Sequence, residues 1–122
     1  MARILVVEDE TSLRDLYVQI LEEADFTVDS APDGEIAYDL IHKGGYDLIL
    51  LDLVLPKLDG ITIMQRLVKD PPVNPNRHIV ILSNLGKDDA IGTAMSLGAS
   101  GYLIKSDYTP DQIVAQVRHF MV

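Results

Sequence analysis

The sequence predicts an α/β fold, a doubly wound five-stranded parallel sheet built as (βα)5. Three observations carry this. Apolar runs rich in β-branched residues recur at 3–8, 26–30, 47–52, 79–83 and 101–105. Between them, apolar residues return every three or four positions, as in helices with one buried face. The run Leu48-Ile49-Leu50-Leu51 is apolar at consecutive positions, which suits a strand buried on both faces of a parallel sheet. Alternating strands and helices call for helices on both sides of that sheet.

The elements follow in order. Ile4-Leu5-Val6-Val7 forms the first strand and runs straight into Glu8-Asp9. Leu13, Leu16, Tyr17, Ile20, Leu21 and Ala24 give the first helix its apolar face. After the strand at 26–30, Asp33-Gly34 opens a second helix carrying Ile36, Ala37, Leu40 and Ile41, and Gly44-Gly45 closes it. The third strand ends in Asp52. Asp59 caps a third helix with Ile61, Met64, Leu67 and Val68 inward, stopped by Asp70-Pro71-Pro72. Residues 70–77, DPPVNPNR, hold three of the six prolines and read as a surface loop. The fourth strand ends in Ser83, and its helix carries Ile91, Ala94, Met95 and Leu97 as far as Gly98. The fifth strand ends in Lys105. Thr109-Pro110-Asp111-Gln112 is a capping box with proline at the first helical position, opening a helix with Ile113, Val117 and Phe120.

At 122 residues the chain makes one domain with a core of its own. Its 48% hydrophobic and 24% charged residues are those of an ordinary soluble globular protein. The absence of cysteine excludes disulfides, thiol catalysis and thiolate metal sites. Ten Lys and Arg against 19 Asp and Glu give a net charge of −9, which argues against direct nucleic-acid binding. No apolar run is long enough to span a membrane, and the acidic pair comes too early for a signal peptide, so the expected location is cytoplasmic. The fifth helix ends with the chain, so no effector domain is expected within residues 1–122.

A carboxylate is least expected where Asp52 stands, at the end of an unbroken apolar run, because desolvating it is costly without partners. In an open α/β sheet, ligands bind beyond the carboxyl ends of the strands, where the strand order reverses. With the order 2-1-3-4-5 that point lies between strands one and three, which end in Glu8-Asp9 and in Asp52. Three converging carboxylates repel one another, and a divalent ion relieves the repulsion. Oxygen donors without His or Cys favour Mg2+, with the main-chain carbonyl of Val54 as a further ligand. Ser83 and Lys105 add a hydroxyl and an ammonium at the same edge. A nucleophile, charge neutralisation and oxygen clamps together suit a transferred phosphoryl group. Taken singly, Asp9 reads better as a helix cap, Ser83 as a strand-end hydrogen bonder and Lys105 as a solvated charge. Four strand ends bearing the right groups are far harder to attribute to chance. His42, His78 and His119 have no metal-ligand spacing and read as surface or boundary residues, and the methionines as core.

RILVVEDE, DLILLDLVLPKLDG, IVILSN and GASGYLIKSD, in this order and spacing, resemble the receiver domain of two-component response regulators over the whole chain. The resemblance implies the flavodoxin-like receiver fold. It implies that Asp52, in D-x-x-x-P-x-x-D-G, accepts a phosphoryl group from a histidine of a sensor histidine kinase or histidine phosphotransfer protein. It further implies that Glu8, Asp9 and Asp52 hold Mg2+, that Ser83 and Lys105 contact the phosphoryl oxygens, and that Tyr102 is the switch aromatic. The implied output is a changed face of helix four, strand five and helix five. An unknown downstream protein would read it, with the domain a monomer or a phosphorylation-linked dimer. No enzymatic turnover is implied beyond self-phosphorylation from a donor and autodephosphorylation.

Four positions depart from the family pattern. Glu8 replaces the usual aspartate, Leu55 a frequent methionine, Asn84 a small residue bordering the phosphoryl pocket, and Ser106 the usual proline. A cis bond before a non-proline residue costs about 3 kcal/mol, so the Lys105–Ser106 bond is expected to be trans. Three other readings fare worse. A Mg2+-dependent phosphohydrolase wants a second acid two residues after its nucleophile, where this chain has Val54. A flavin mononucleotide carrier wants a phosphate cradle after strand one, where Glu8-Asp9 would repel the ligand. A non-phosphorylated module on the same fold would have lost part of the constellation, and none is missing.

Overall fold

The computed structural model describes residues 1–84 and 89–122. In chain order the elements are β1 (Arg3–Val7), α1 (Thr11–Glu23), β2 (Thr27–Ala31), α2 (Gly34–Lys43), β3 (Leu48–Asp52), α3 (Gly60–Lys69), β4 (His78–Ser83), α4 (Asp89–Ser96), β5 (Gly101–Ile104) and α5 (Pro110–Met121). A single 3-10 turn, Lys105–Asp107, joins β5 to α5. The strands pair in parallel in the order β2-β1-β3-β4-β5, as the sequence predicts.

Alternation along each strand divides the apolar residues between two cores. Leu5, Val7, Ile49, Leu51 and Ile81 face Ala37 and Ile41 of α2, Ile63, Met64 and Leu67 of α3, and Ile91 and Ala94 of α4. Ile4, Val6, Leu48, Leu50, Val80, Leu82 and Leu103 face Tyr17 and Leu21 of α1 and Ile113 and Val117 of α5. The central strands β1 and β3 are covered on both sides, so consecutive apolar residues are required there. The edge strand β2 buries only Ala31 fully.

The helix starts are fixed by side chains that accept orphan N–H groups. Asp33 Oδ1 accepts from Ile36 N (3.0 Å) and Asp59 Oδ1 from Thr62 N (2.9 Å). Thr109 and Gln112 form the reciprocal capping box, at 2.8 and 3.3 Å. At α1 the cap is Glu10, whose carboxylate accepts from Ser12 N and Leu13 N. The alternative of Asp9 as that cap is thereby corrected.

Several helical residues read as inward lie outside. Ile36, Val68 and Met95 are substantially exposed, as is Leu16, while Ile63 is fully buried. The inward row of α3 is Gly60, Ile63, Met64 and Leu67, and that of α2 is Gly34, Ala37 and Ile41. Both rows begin at a glycine, which packs by close backbone approach and leaves no apolar side chain to mark the register. Of the methionines, Met64 is core, but Met1 and Met95 are not.

Residues 70–77 are more than a surface loop. Val73 N and Asn74 N donate to the carbonyls of His42 and Lys43, and Asn76 Nδ2 to that of Ile41 (3.0 Å). The loop therefore supplies donors for the unpaired carbonyls at the end of α2. Asn76 Oδ1 also accepts from Tyr46 N, which fixes the approach to β3.

Candidate functional site

The sheet register assembles the cleft. Val7 pairs with Leu51, so Glu8 stands level with Asp52, and Ser83 pairs with Ile104, one step before Lys105. By alternation Glu8, Asp52 and Lys105 continue the α1–α5 side of the sheet, whereas Ser83 continues the row of Ile79 and Ile81 on the other. Glu8, Asp9, Glu10, Leu13, Asp52, Val54, Asn84 and Lys105 line one cleft of about 370 Å³. Ser83 is buried beside this cleft rather than on its wall. Tyr102 lies away from it on β5, 47% exposed. Residues 85–88, which follow β4, lie outside the described residues.

Asp52 is held from below by helix α3. Gly60 N donates to Leu53 O at 2.9 Å, and a Cβ at position 60 would come within 2.9 Å of Asp52 O and 2.8 Å of Leu53 Cα. Only glycine permits that approach. Asp52 is 5% exposed, with Oδ1 accepting from Val54 N (3.0 Å) and Oδ2 from Lys105 Nζ (2.8 Å). Glu8 is 1% exposed, with Oε1 paired to Lys105 Nζ and Oε2 accepting from Glu10 N (3.2 Å). Arg14 Nη1 donates to the Glu8 carbonyl (3.0 Å) and steadies the turn that carries the acidic pair. The described peptide bonds are all trans, Lys105–Ser106 included, and Lys105 still reaches Asp52.

Burial pushes the Glu8 carboxyl above its ordinary range, against the pull of Lys105 and of the Glu10 N–H. For Lys105, burial is the largest single influence and works against its charge. Hydrogen bonds to Asp52 and Glu8 together outweigh it and carry the ammonium above its usual range.

One carboxylate oxygen from each of Glu8, Asp9 and Asp52 lies within 4.8 Å of the others. Hard oxygen donors at this spacing fit a small divalent cation that keeps several waters. The main-chain N–H of Val54 donates to Asp52 Oδ1, and Val54 itself lines the cleft. The three histidines stay outside: His42 stacks on Tyr38, His78 Nδ1 lies 3.0 Å from Ser100 Oγ, and His119 packs edge-on to Phe120.

The family model of the response regulator receiver domain matches residues 4–118. The chain belongs to that family. A probable transcriptional regulator, ycf27, of Guillardia theta is 34% identical over 116 residues. That match covers 95% of this chain but 44% of the relative, so the chain spans less than half the length of that curated relative. The receiver domain of Francisella response regulator 1452 superposes with a TM-score of 0.84 at 27% identity, covering 99% of this chain and 97% of that one. Response regulator TrrA of Thermotoga maritima, solved with Mg2+ and a beryllium fluoride, gives 0.80 at 28% identity, covering 98% and 99%. In this receiver domain, sequence reasoning brought Glu8, Asp9, Asp52, Val54 and Lys105 to one place. It missed Glu10 as the cap, because glutamate is not a favoured capping residue. It also missed the contact of Lys105 with Glu8, which depends on side-chain reach.

Proposed function

We propose that this receiver domain is a phosphorelay switch whose acceptor is Asp52. The observation that carries the proposal is a carboxylate 5% exposed at the floor of a cleft, with an ammonium at 2.8 Å and two more carboxylates within ligand distance. A carboxylate oxygen of Asp52 attacks the phosphorus of a phosphohistidine on a sensor histidine kinase or histidine phosphotransfer protein. The P–N bond breaks, the imidazole leaves, and an acyl phosphate remains. Glu8, Asp9, Asp52 and the Val54 carbonyl would hold Mg2+, which when bound neutralises charge on the transferred group. Lys105 pairs with the phosphoryl oxygens, and the Ser83 hydroxyl donates to them once the end of β4 shifts. Phosphorylation replaces a single charge with about two and adds strong acceptor oxygens, which biases two packings of one fold.

The switch acts on no external substrate; its only chemistry is self-phosphorylation and autodephosphorylation. Its output is a changed surface at α4, β5 and α5, read by a downstream protein or a second copy. A cytoplasmic location accords with the described residues, where no helix is long and apolar enough to cross a membrane. The test is intact mass after incubation with phosphoramidate and Mg2+. A single phosphoryl adduct is expected in the wild type, and none in Asp52→Asn or in EDTA. An adduct that persists in either control overturns the assignment.

A further inference from the structure

Tyr17 carries a hydroxyl into a place where packing does not call for one. Its ring lies in the core between the sheet and helices α1 and α5, with Ile4, Val6, Leu82, Leu103 and Ile113, and the residue is 3% exposed. Phenylalanine would fill that core as well and would avoid taking a hydroxyl out of water. The hydroxyl forms no hydrogen bond with any of the described residues. Tyr17 borders a second cavity, of about 280 Å³, together with Asn84, Lys105, Ser106 and Tyr108. With the ring packed, the hydroxyl is the part left to face that space. Lys105 lines both this cavity and the acidic cleft. An ammonium has three N–H donors. Two go to Glu8 Oε1 and Asp52 Oδ2, and the third has no acceptor among the described residues, although the side chain is 9% exposed. Two unspent groups thus meet at one cavity.

We propose that Tyr17 is a positioning residue for Lys105: a water in this cavity accepts the third N–H of the ammonium and donates to the Tyr17 hydroxyl oxygen. The proposal rests on the reading of Asp52 as the acceptor and Lys105 as its clamp, and adds what holds the clamp from the cavity side. A cavity of this size with several polar groups on its walls holds ordered water. A water bridge between two polar groups is nearly as good as a direct hydrogen bond. Burial raises the Tyr17 hydroxyl above its ordinary range, and the strongest charge acting on it is that of Lys105, ahead of Glu8 and Asp52. The hydroxyl therefore lies within reach of the same three groups that meet in the cleft. A neutral acceptor suits the task. It satisfies the third donor without adding a carboxylate that would compete with Asp52 for the ammonium. The long stem of Lys105 has many rotamers, and contacts on two sides restrict it more than contacts on one.

The test is Tyr17→Phe, which removes one oxygen and keeps the ring. Its rate of phosphorylation by phosphoramidate with Mg2+, followed by intact mass, should be about two- to tenfold below wild type, the effect of losing one hydrogen bond. In the absence of donor and Mg2+, 15N NMR should show the Lys105 ammonium exchanging its hydrogens faster in the variant than in wild type. A Tyr17 that only packs predicts neither change, whatever its effect on the melting temperature. Wild-type phosphorylation or wild-type exchange in Tyr17→Phe therefore overturns the proposal and leaves Asp52 as the acceptor. A wild type that takes no phosphoryl group overturns the reading of Asp52 itself, and the positioning role with it.

Discussion

At the residue scale, the carboxylates of this receiver domain divide into those that fix its architecture and those that converge in the cleft. Asp59 belongs to the first group: it accepts from Thr62 N and from the Thr62 hydroxyl, both at 2.9 Å, and starts the helix that braces Asp52. The Thr62 N–H is the largest influence on its carboxyl and holds it below the ordinary range. A lowered folded-state pKa contributes stability above the unfolded value, near 3.9, and that contribution is lost as pH falls through the folded value. Asp59→Ala should therefore cost about 0.5–2 kcal/mol at pH 6, the usual effect of losing a cap. The gap between variant and wild type should close towards pH 3. Urea unfolding at the two pH values checks this, and a gap that stays constant would mean that the ionised cap contributes nothing. Residue identity alone made Asp59 and Asp52 legible, the one by its place before Gly60, the other by its place after an apolar run. The pairing of Glu8 with Lys105 was not legible, because it spans 97 positions.

At the scale of elements, two glycines that look alike in sequence have opposite roles. Gly34 heads α2, and a Cβ there would come within 1.6 Å of Leu58 O, in the loop that follows Asp52. Its N–H donates to Pro56 O (3.2 Å), and Lys57 in that loop has φ +68°, a strained value for a side-chain-bearing residue. Gly92 lies within α4, exposed, and a Cβ there would meet nothing within 4 Å. Gly34→Ala should therefore destabilise the fold by about 1–3 kcal/mol through overpacking. Gly92→Ala should stabilise it by about 0.5–1 kcal/mol by restricting the unfolded chain and favouring helix. Thermal unfolding of the two variants checks both signs, and a shift in the same direction for both would contradict these packing assignments. Strand and helix order could be read from periodicity because buried parallel strands must be apolar at every position. The inward faces of α2 and α3 were legible only in part: Ala37, Ile41, Met64 and Leu67 were read, but Gly34 and Gly60 contribute close backbone contact that no hydropathy pattern reports.

At the scale of the whole molecule, the proposed switch requires that a change at Asp52 reach a surface that a partner can read. Ser83 ends β4 opposite Ile104, and Tyr102 pairs with Ile81 two residues earlier on the same two strands. The route from Ser83 to Tyr102 is thus a few residues of one strand pair. Tyr102 is 47% exposed and Met95 of α4 is 38% exposed, so the surface of α4 and β5 shows large apolar side chains. Helix α4 rests on the opposite core from α5, with Ile91 and Ala94 buried against β4 and its neighbours. A small displacement of β4 therefore acts on both layers, through Ile81 on Ile91 and Ala94 of α4 and through Val80 and Leu82 on Ile113 and Val117 of α5. Such a switch needs only a few kcal/mol between two packings, which new bonds from Ser83 and Lys105 to a phosphoryl group can supply. Amide NMR shifts with and without beryllofluoride and Mg2+ should change around Asp52 and also along β4, α4 and Tyr102. The amides at the C-terminal end of α2 and of the 70–77 strap, tied to each other, should stay still. Changes confined to the acidic cleft would show that the cleft and the surface around Tyr102 are not coupled, and that signal leaves the domain by another face.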